Sequence, residues 1–180
     1  LILCIFLSGC FGTSKPADFY VLQPQTRLSP IQTTHFNIGV EAVELPTYLD
    51  RPQIVWQKDD SSELKVSELN RWGEPLSEMI QRTLTGDLAR LLPNAFIKPK
   101  TFSRDGFNRI ILVEIDRFDA IEGKEAFLSA WWSVSNAEGA TLMQDKPVLS
   151  APTTGTYENY ARVQSDLIAQ LAEQIAKKIK

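Results

Sequence analysis

Arg109-Ile110-Ile111-Leu112-Val113-Glu114-Ile115 is apolar at every position except the first and the sixth. Such a run is expected of a central strand covered on both of its faces. The next segment reads differently. From Ala126 to Ser135, Leu128, Ala130, Trp132 and Val134 share one side, while Phe127 and Trp131 point to the other. Period-two alternation is the mark of a strand with one face in the core. Glu138-Gly139 then turns the chain towards a further strand around Thr141 to Leu149.

Helical periodicity brackets this strand pair. Upstream, Leu76, Ile80, Leu84, Leu88 and Leu91 form a stripe widened by Met79 and Leu92, entered through Gly73-Glu74-Pro75 and stopped by Pro93-Asn94. Downstream, Tyr160, Val163, Leu167, Leu171 and Ile175 line one face of a helix from about Tyr157 to Ile179, with Lys177 and Lys178 near its negative end. Before the first helix, strands are expected at Phe19–Leu22, at Phe36–Val43 with Phe36, Ile38, Val40 and Ala42 on one face, at Ile54–Trp56, and around Leu64–Val66. The order strands, helix, strands, helix predicts an α+β fold: a single mixed β-sheet with two main helices packed on it.

The 180 residues suit one domain with a real core, and 43% hydrophobic with 23% charged residues is ordinary globular composition. Nineteen basic and 22 acidic side chains are interspersed, for a net charge of -3. That balance speaks against nucleic acid, which would call for a basic excess gathered on one element.

The first nine residues, Leu1 to Gly9, are uncharged and apolar up to Ser8-Gly9, the length of a signal-peptide apolar region and short of a spanning helix. Leu7-Ser8-Gly9-Cys10 reads as a lipobox, with the Cys10 thiol as the acceptor of the diacylglycerol. Residues 1–9 are therefore expected to be a signal-peptide remnant, 10–18 a lipidated tether, and 19–180 a single periplasmic domain. Cleavage would remove Cys4, leaving Cys10 without a disulfide partner. Phe11 follows the cysteine in place of the aspartate that commonly retains such proteins at the inner membrane, so outer-membrane anchoring is expected.

Catalytic chemistry finds little support. His35 is the only histidine, and neither H-E-x-x-H, paired C-x-x-C, a G-x-S-x-G elbow nor a phosphate-binding loop occurs. No metal or cofactor site is predicted. Glu114 and Asp116 fall on one strand face, where a glycosidase pair could sit; a solvated strand face is the simpler reading. Two segments are less generic. Leu45-Pro46-Thr47-Tyr48-Leu49-Asp50-Arg51-Pro52-Gln53-Ile54-Val55 packs two prolines and a charged pair between strands, and Asn70-Arg71-Trp72-Gly73-Glu74-Pro75-Leu76 opens the first helix. Asp50 and Arg51 could pin the loop, and Trp72 could seal the helix start.

These two segments, with the lipobox and the Tyr20-Val21-Leu22-Gln23-Pro24 opening, resemble the auxiliary lipoproteins of ABC-type transport systems, the PqiC (YmbA-like) family. The similarity extends over Cys10 to Lys180. It implies a non-enzymatic envelope component working with MCE-domain proteins, which form rings or tubes carrying lipids between membranes. It implies no catalytic residues. Tyr48, Leu49, Asp50, Arg51, Arg71 and Trp72 are the candidates for a partner or self-assembly interface, a homo-oligomeric ring included. The alternative is a lipid carrier with a deep apolar cavity between sheet and helices.

Overall fold

The computed structural model describes residues 15–27, 29–59, 61–99 and 103–179. Cys10, the apolar stretch 1–9 and the first part of the 10–18 tether lie outside the described residues. Nine strands, β1 (Asp18–Tyr20), β2 (Asn37–Val40), β3 (Gln53–Gln57), β4 (Leu64–Trp72), β5 (Phe96–Pro99), β6 (Arg109–Ile121), β7 (Glu125–Ser135), β8 (Thr141–Asp145) and β9 (Val148–Pro152), make one mixed sheet. Helices α1 (Leu76–Leu91) and α2 (Tyr157–Ile179) complete the fold, which is the α+β arrangement expected from the element order.

β6 is the axis of the sheet. Eleven of its 13 residues pair antiparallel with β7 along one edge. Along the other edge they take β2 in parallel at Ile110 and its neighbours, a single bridge from Glu44 to Glu114, and β3 at Ile121. β4 then pairs with β3 and β1 with β4, while β5 pairs with β2. β8 and β9 share the outer edge of β7. The β6–β7 turn closes at Gly123, whose φ of +68° suits a residue without a side chain.

Both helices pack against each other and bury their stripes on one side of this sheet. Ile80, Leu84 and Leu88 meet the same core as Leu167, Leu171 and Ile175, and all six are inaccessible to solvent. Burying one such side chain contributes roughly 1.5–3 kcal/mol, which is why two amphipathic faces suffice to set the layers. α2 begins at a threonine cap: Thr156 Oγ1 accepts from Asn159 N at 3.2 Å.

The sheet's other face is only partly covered, which corrects the expectation drawn from the apolar run in β6. Ile111, Val113 and Ile115 face the helices and are buried, whereas Leu112 is half-exposed and Glu114 exposed. A bulge between Ile115 and Arg117 shifts the alternation, so that Phe118 and Ala120 return to the core side. Trp132 lies in the core and Trp131 on the opposite face, half-exposed, as the alternation required. β5 had no recognisable periodicity, and the Phe36–Val43 strand ends at Val40, leaving Ala42 exposed.

Candidate functional site

The two distinctive segments, about 20 residues apart in sequence, are brought side by side. Gln53 pairs with Arg71 across β3 and β4, and Trp72 N donates to Pro52 O at 2.7 Å. Trp72 in turn pairs with Tyr20 of β1, and Gly73 N donates to Tyr20 O at 2.8 Å. The Tyr20 opening, the Leu45–Val55 loop and the helix entrance thus meet at one corner. An open pocket of about 370 Å3 forms there, lined by Asp50, Arg51, Pro52, Trp72, Glu74 and Leu76 among others.

What holds the corner is aromatic packing. Trp72 lies 5.9 Å from Tyr160, Tyr160 4.8 Å from Trp56, Trp56 5.0 Å from Tyr157 and Tyr157 6.0 Å from Tyr20, ring centre to ring centre. Five rings from β1, β3, β4 and α2 therefore form one cluster at separations typical of attractive aromatic pairs. Tyr160 is fully buried and its hydroxyl donates to Phe118 O at 3.2 Å. Burial pushes its phenol well above the ordinary range.

The loop is fastened by its first half. Leu49 is buried in the core, and Leu49 N donates to Pro46 O at 2.9 Å. Tyr48 is half-buried, and its hydroxyl reaches Asp119 Oδ2 at a long 3.4 Å. Asp119, buried on the helix-free face, accepts from Arg117 Nε at 2.7 Å. Arg117 also donates to Gln57 Oε1 at 2.6 Å and stacks 3.7 Å above the centre of the Phe127 ring. Desolvation, then the nearby Asp119 carboxylate, pushes the Tyr48 phenol up to about 12.

Asp50 and Arg51 are exposed, and their side chains have no hydrogen-bond or ion-pair partner among the described residues. They do not pin the loop; backbone bonds, Leu49 and Tyr48 do. Arg71 is half-exposed and donates to Glu68 O at 3.3 Å, and Glu74 pairs with Arg82. Of the six candidate side chains, then, Asp50, Arg51 and Arg71 face solvent, Tyr48 is shared, and Leu49 and Trp72 support them from within.

Sequence reasoning missed the Asp119–Arg117–Gln57 network, although a charged pair inside Arg117-Phe118-Asp119-Ala120-Ile121 was a visible signal. It also missed the strap that follows β1. Gln23 N donates to Ser165 Oγ of α2 at 3.2 Å, Thr26 N to Asp87 Oδ1 of α1 at 2.8 Å, and Arg90 to Pro24 O at 2.7 Å. Residues 23–26 are thereby tied to both helices.

The other features considered above have ordinary settings. His35 is exposed and pairs through Nδ1 with Asn94 O at 3.0 Å. Glu114 and Asp116 are both exposed, the latter bridged by Lys146 at 2.9 Å. Among the described residues no group of His, Cys, Asp and Glu could hold a metal ion, and no helix is long and apolar enough to cross a membrane. Between sheet and helices the space is filled: Ile38, Val40, Ile111, Trp132 and Phe118 are inaccessible to solvent. Two further pockets, of about 340 and 270 Å3, flank the strap at the surface of α2. None of the three pockets described opens between the layers, where an acyl carrier would need one.

Known proteins resemble this chain in sequence or in fold. Intermembrane transport lipoprotein PqiC of Escherichia coli (strain K12) is 24% identical over 184 residues, 99% of this chain and 95% of its own. A crystal structure of an uncharacterized protein matches with a TM-score of 0.76 at 21% identity, over 92% of this chain and all of that one. A PelC dodecamer from Paraburkholderia phytofirmans matches at 0.52 and 5% identity, over 87% of this chain and 97% of its own; these two show a common fold. The model of the family described as ABC-type transport auxiliary lipoprotein component matches residues 20–176, and the chain belongs to that family.

Proposed function

We propose that this protein is a lipid-anchored adaptor in an ABC/MCE-type intermembrane lipid transport system. Cys10 carries the lipid, residues 10–18 form the tether, and a single domain from residue 19 faces the periplasm from the outer membrane. The corner bearing Asp50, Arg51 and Arg71 docks the transport complex through its MCE-domain protein or joins neighbouring copies in a ring. One observation carries this reading. Two segments separate in sequence converge on one open pocket, and at its rim Asp50 and Arg51 are held out by a rigid buried support with no side-chain partner among the described residues, while Glu74 is taken up by Arg82.

Arginine and buried aromatic supports are enriched where interfaces derive their binding energy, and solvated charges on a fixed backbone steer partners and fix register. The PqiC relative is named for intermembrane transport, which supports the transport reading. The test is a pull-down and mass determination on Arg51→Glu and Arg71→Glu. Each variant is expected to melt within a few degrees of wild type, since neither side chain is buried. Association should weaken at least tenfold, about 1.4 kcal/mol. Wild-type association in both variants would place the binding surface elsewhere.

A further inference from the structure

We infer that β1 and β4 form a lipid-contacting edge, so that the domain lies against the bilayer surface instead of hanging free on its tether; this rests on Cys10 being the lipid-bearing residue, as proposed above. Eight large hydrophobic side chains are exposed among the described residues, and five of them, Phe19, Val21, Leu64, Val66 and Leu69, belong to β1, the residue after it and β4. Phe19 is 65% exposed.

Strand register places three of them on one face. Tyr20 and Trp72 are paired and both enter the aromatic cluster, so Phe19 and its partner Arg71 take the opposite side of these two strands, and Phe19, at the very edge of the sheet, also borders the surface pocket beside α2. Trp56 also enters that cluster and is paired with Lys65, so Leu64 and Val66 on either side of Lys65 point the same way as Phe19. Leu69 lies in the irregular stretch between them. β1 pairs only with Asn70–Trp72, which leaves Leu64–Leu69 an outer edge without a strand partner among the described residues. An exposed apolar edge of this kind is normally covered by something.

The chain itself says by what. Cys10 lies eight residues before Asp18, and eight residues reach at most about 28 Å. β1 therefore stays close to the bilayer that holds the lipid. The charges on the two strands balance, Asp18 and Glu68 against Lys65 and Arg71, so the edge suits a zwitterionic surface and requires no anionic lipid. The tether supplies the effective concentration that lets so small a patch remain seated.

The experiment uses the full lipidated chain in phosphatidylcholine vesicles, with a nitroxide on Val66→Cys or Phe19→Cys and, as control, on Leu142→Cys of β8. Flotation reports the anchor, and collision with oxygen or with a water-soluble nickel complex reports immersion. At about one chain per vesicle, the labels at 66 and 19 should lose nickel accessibility by roughly threefold or more, in 1 M salt as in 0.1 M, while the label at 142 stays wet. Vesicle-bound chains with wet labels at 66 and 19 overturn this inference alone. Labels that dry only at high chain density mean that a second copy covers the edge, and drying abolished by salt means a charge contact; either overturns it. Chains that fail to float overturn the anchor and this inference with it.

Discussion

Pro24 lies directly on Gly86: a Cβ on that glycine would stand 2.6 Å from Pro24 Cγ and 3.3 Å from its Cβ. The strap after β1 thus runs across α1 at its one glycine, and the pyrrolidine ring, unlike a long flexible side chain, has no room to swing aside. Elsewhere in a helix, Gly→Ala stabilises by roughly 0.5–1 kcal/mol. Here Gly86→Ala should destabilise by about 1–3 kcal/mol, the usual cost of overpacking. In a Pro24→Ala background the same change should turn stabilising. Denaturant melts of the four proteins form the cycle, and additive effects would show that the contact carries no strain.

Asp87, the next residue, is buried, with Oδ1 bonded to Thr26 N and Oδ2 lacking a partner among the described residues. Burial raises its carboxyl above the usual range, against the opposing pull of the Thr26 and Gln25 amides. The native state therefore holds this proton more tightly than the unfolded chain. The resulting stability is fully present below the ordinary value of 3.8 and is lost as pH rises through the native one. Asp87→Asn keeps an acceptor for Thr26 and removes the charge. It should melt higher than wild type at pH 7, with the advantage shrinking as pH falls towards 4. A lower melting temperature at pH 7 would mean that the strap's amides stabilise the anion more than burial penalises it.

Tyr48 gives the opposite end of the scale. Its phenol is raised from 10.0 to about 12, so its contribution is present below pH 10 and lost as pH rises from there through about 12. Tyr48→Phe removes that titration and should show a shallower alkaline loss of stability than wild type. At pH 7 it should cost no more than about 1 kcal/mol, because the bond to Asp119 is long. Parallel alkaline curves for the two proteins would mean that the Tyr48 hydroxyl is free to ionise in the native state.

Cys10→Ser should leave the melting temperature unchanged and release the protein from membranes. A single acyl chain binds only marginally, whereas several hold firmly, at roughly 0.8 kcal/mol per buried CH₂. Fractionation of envelopes decides it: a processed Cys10→Ser protein still in the membrane fraction would require a different anchor.

Local pattern alone determined both helices, because a 3.6-residue stripe such as Leu76–Ile80–Leu84–Leu88 or Val163–Leu167–Leu171–Ile175 can bury itself in only one way. It also determined the core face of β7 through strict alternation. The distinctive motifs were legible as motifs for the same reason: prolines, aromatics and paired charges stand out where periodicity fails. Their disposition was not legible. Whether Trp72 faces a partner or the core depends on its register with Tyr20, set by pairings 52 residues apart and by an irregular stretch in β4. Whether β6 is covered on one face or two depends on where the helices land and on a bulge at Ile115, neither of which composition records. Pro24 meets Gly86, and Tyr48 meets Asp119, only after the strap and the loop have crossed elements far along the chain. Side-chain period is a property of a strand or helix by itself; exposure is a property of what is laid on top of it, and that was decided by the tertiary structure.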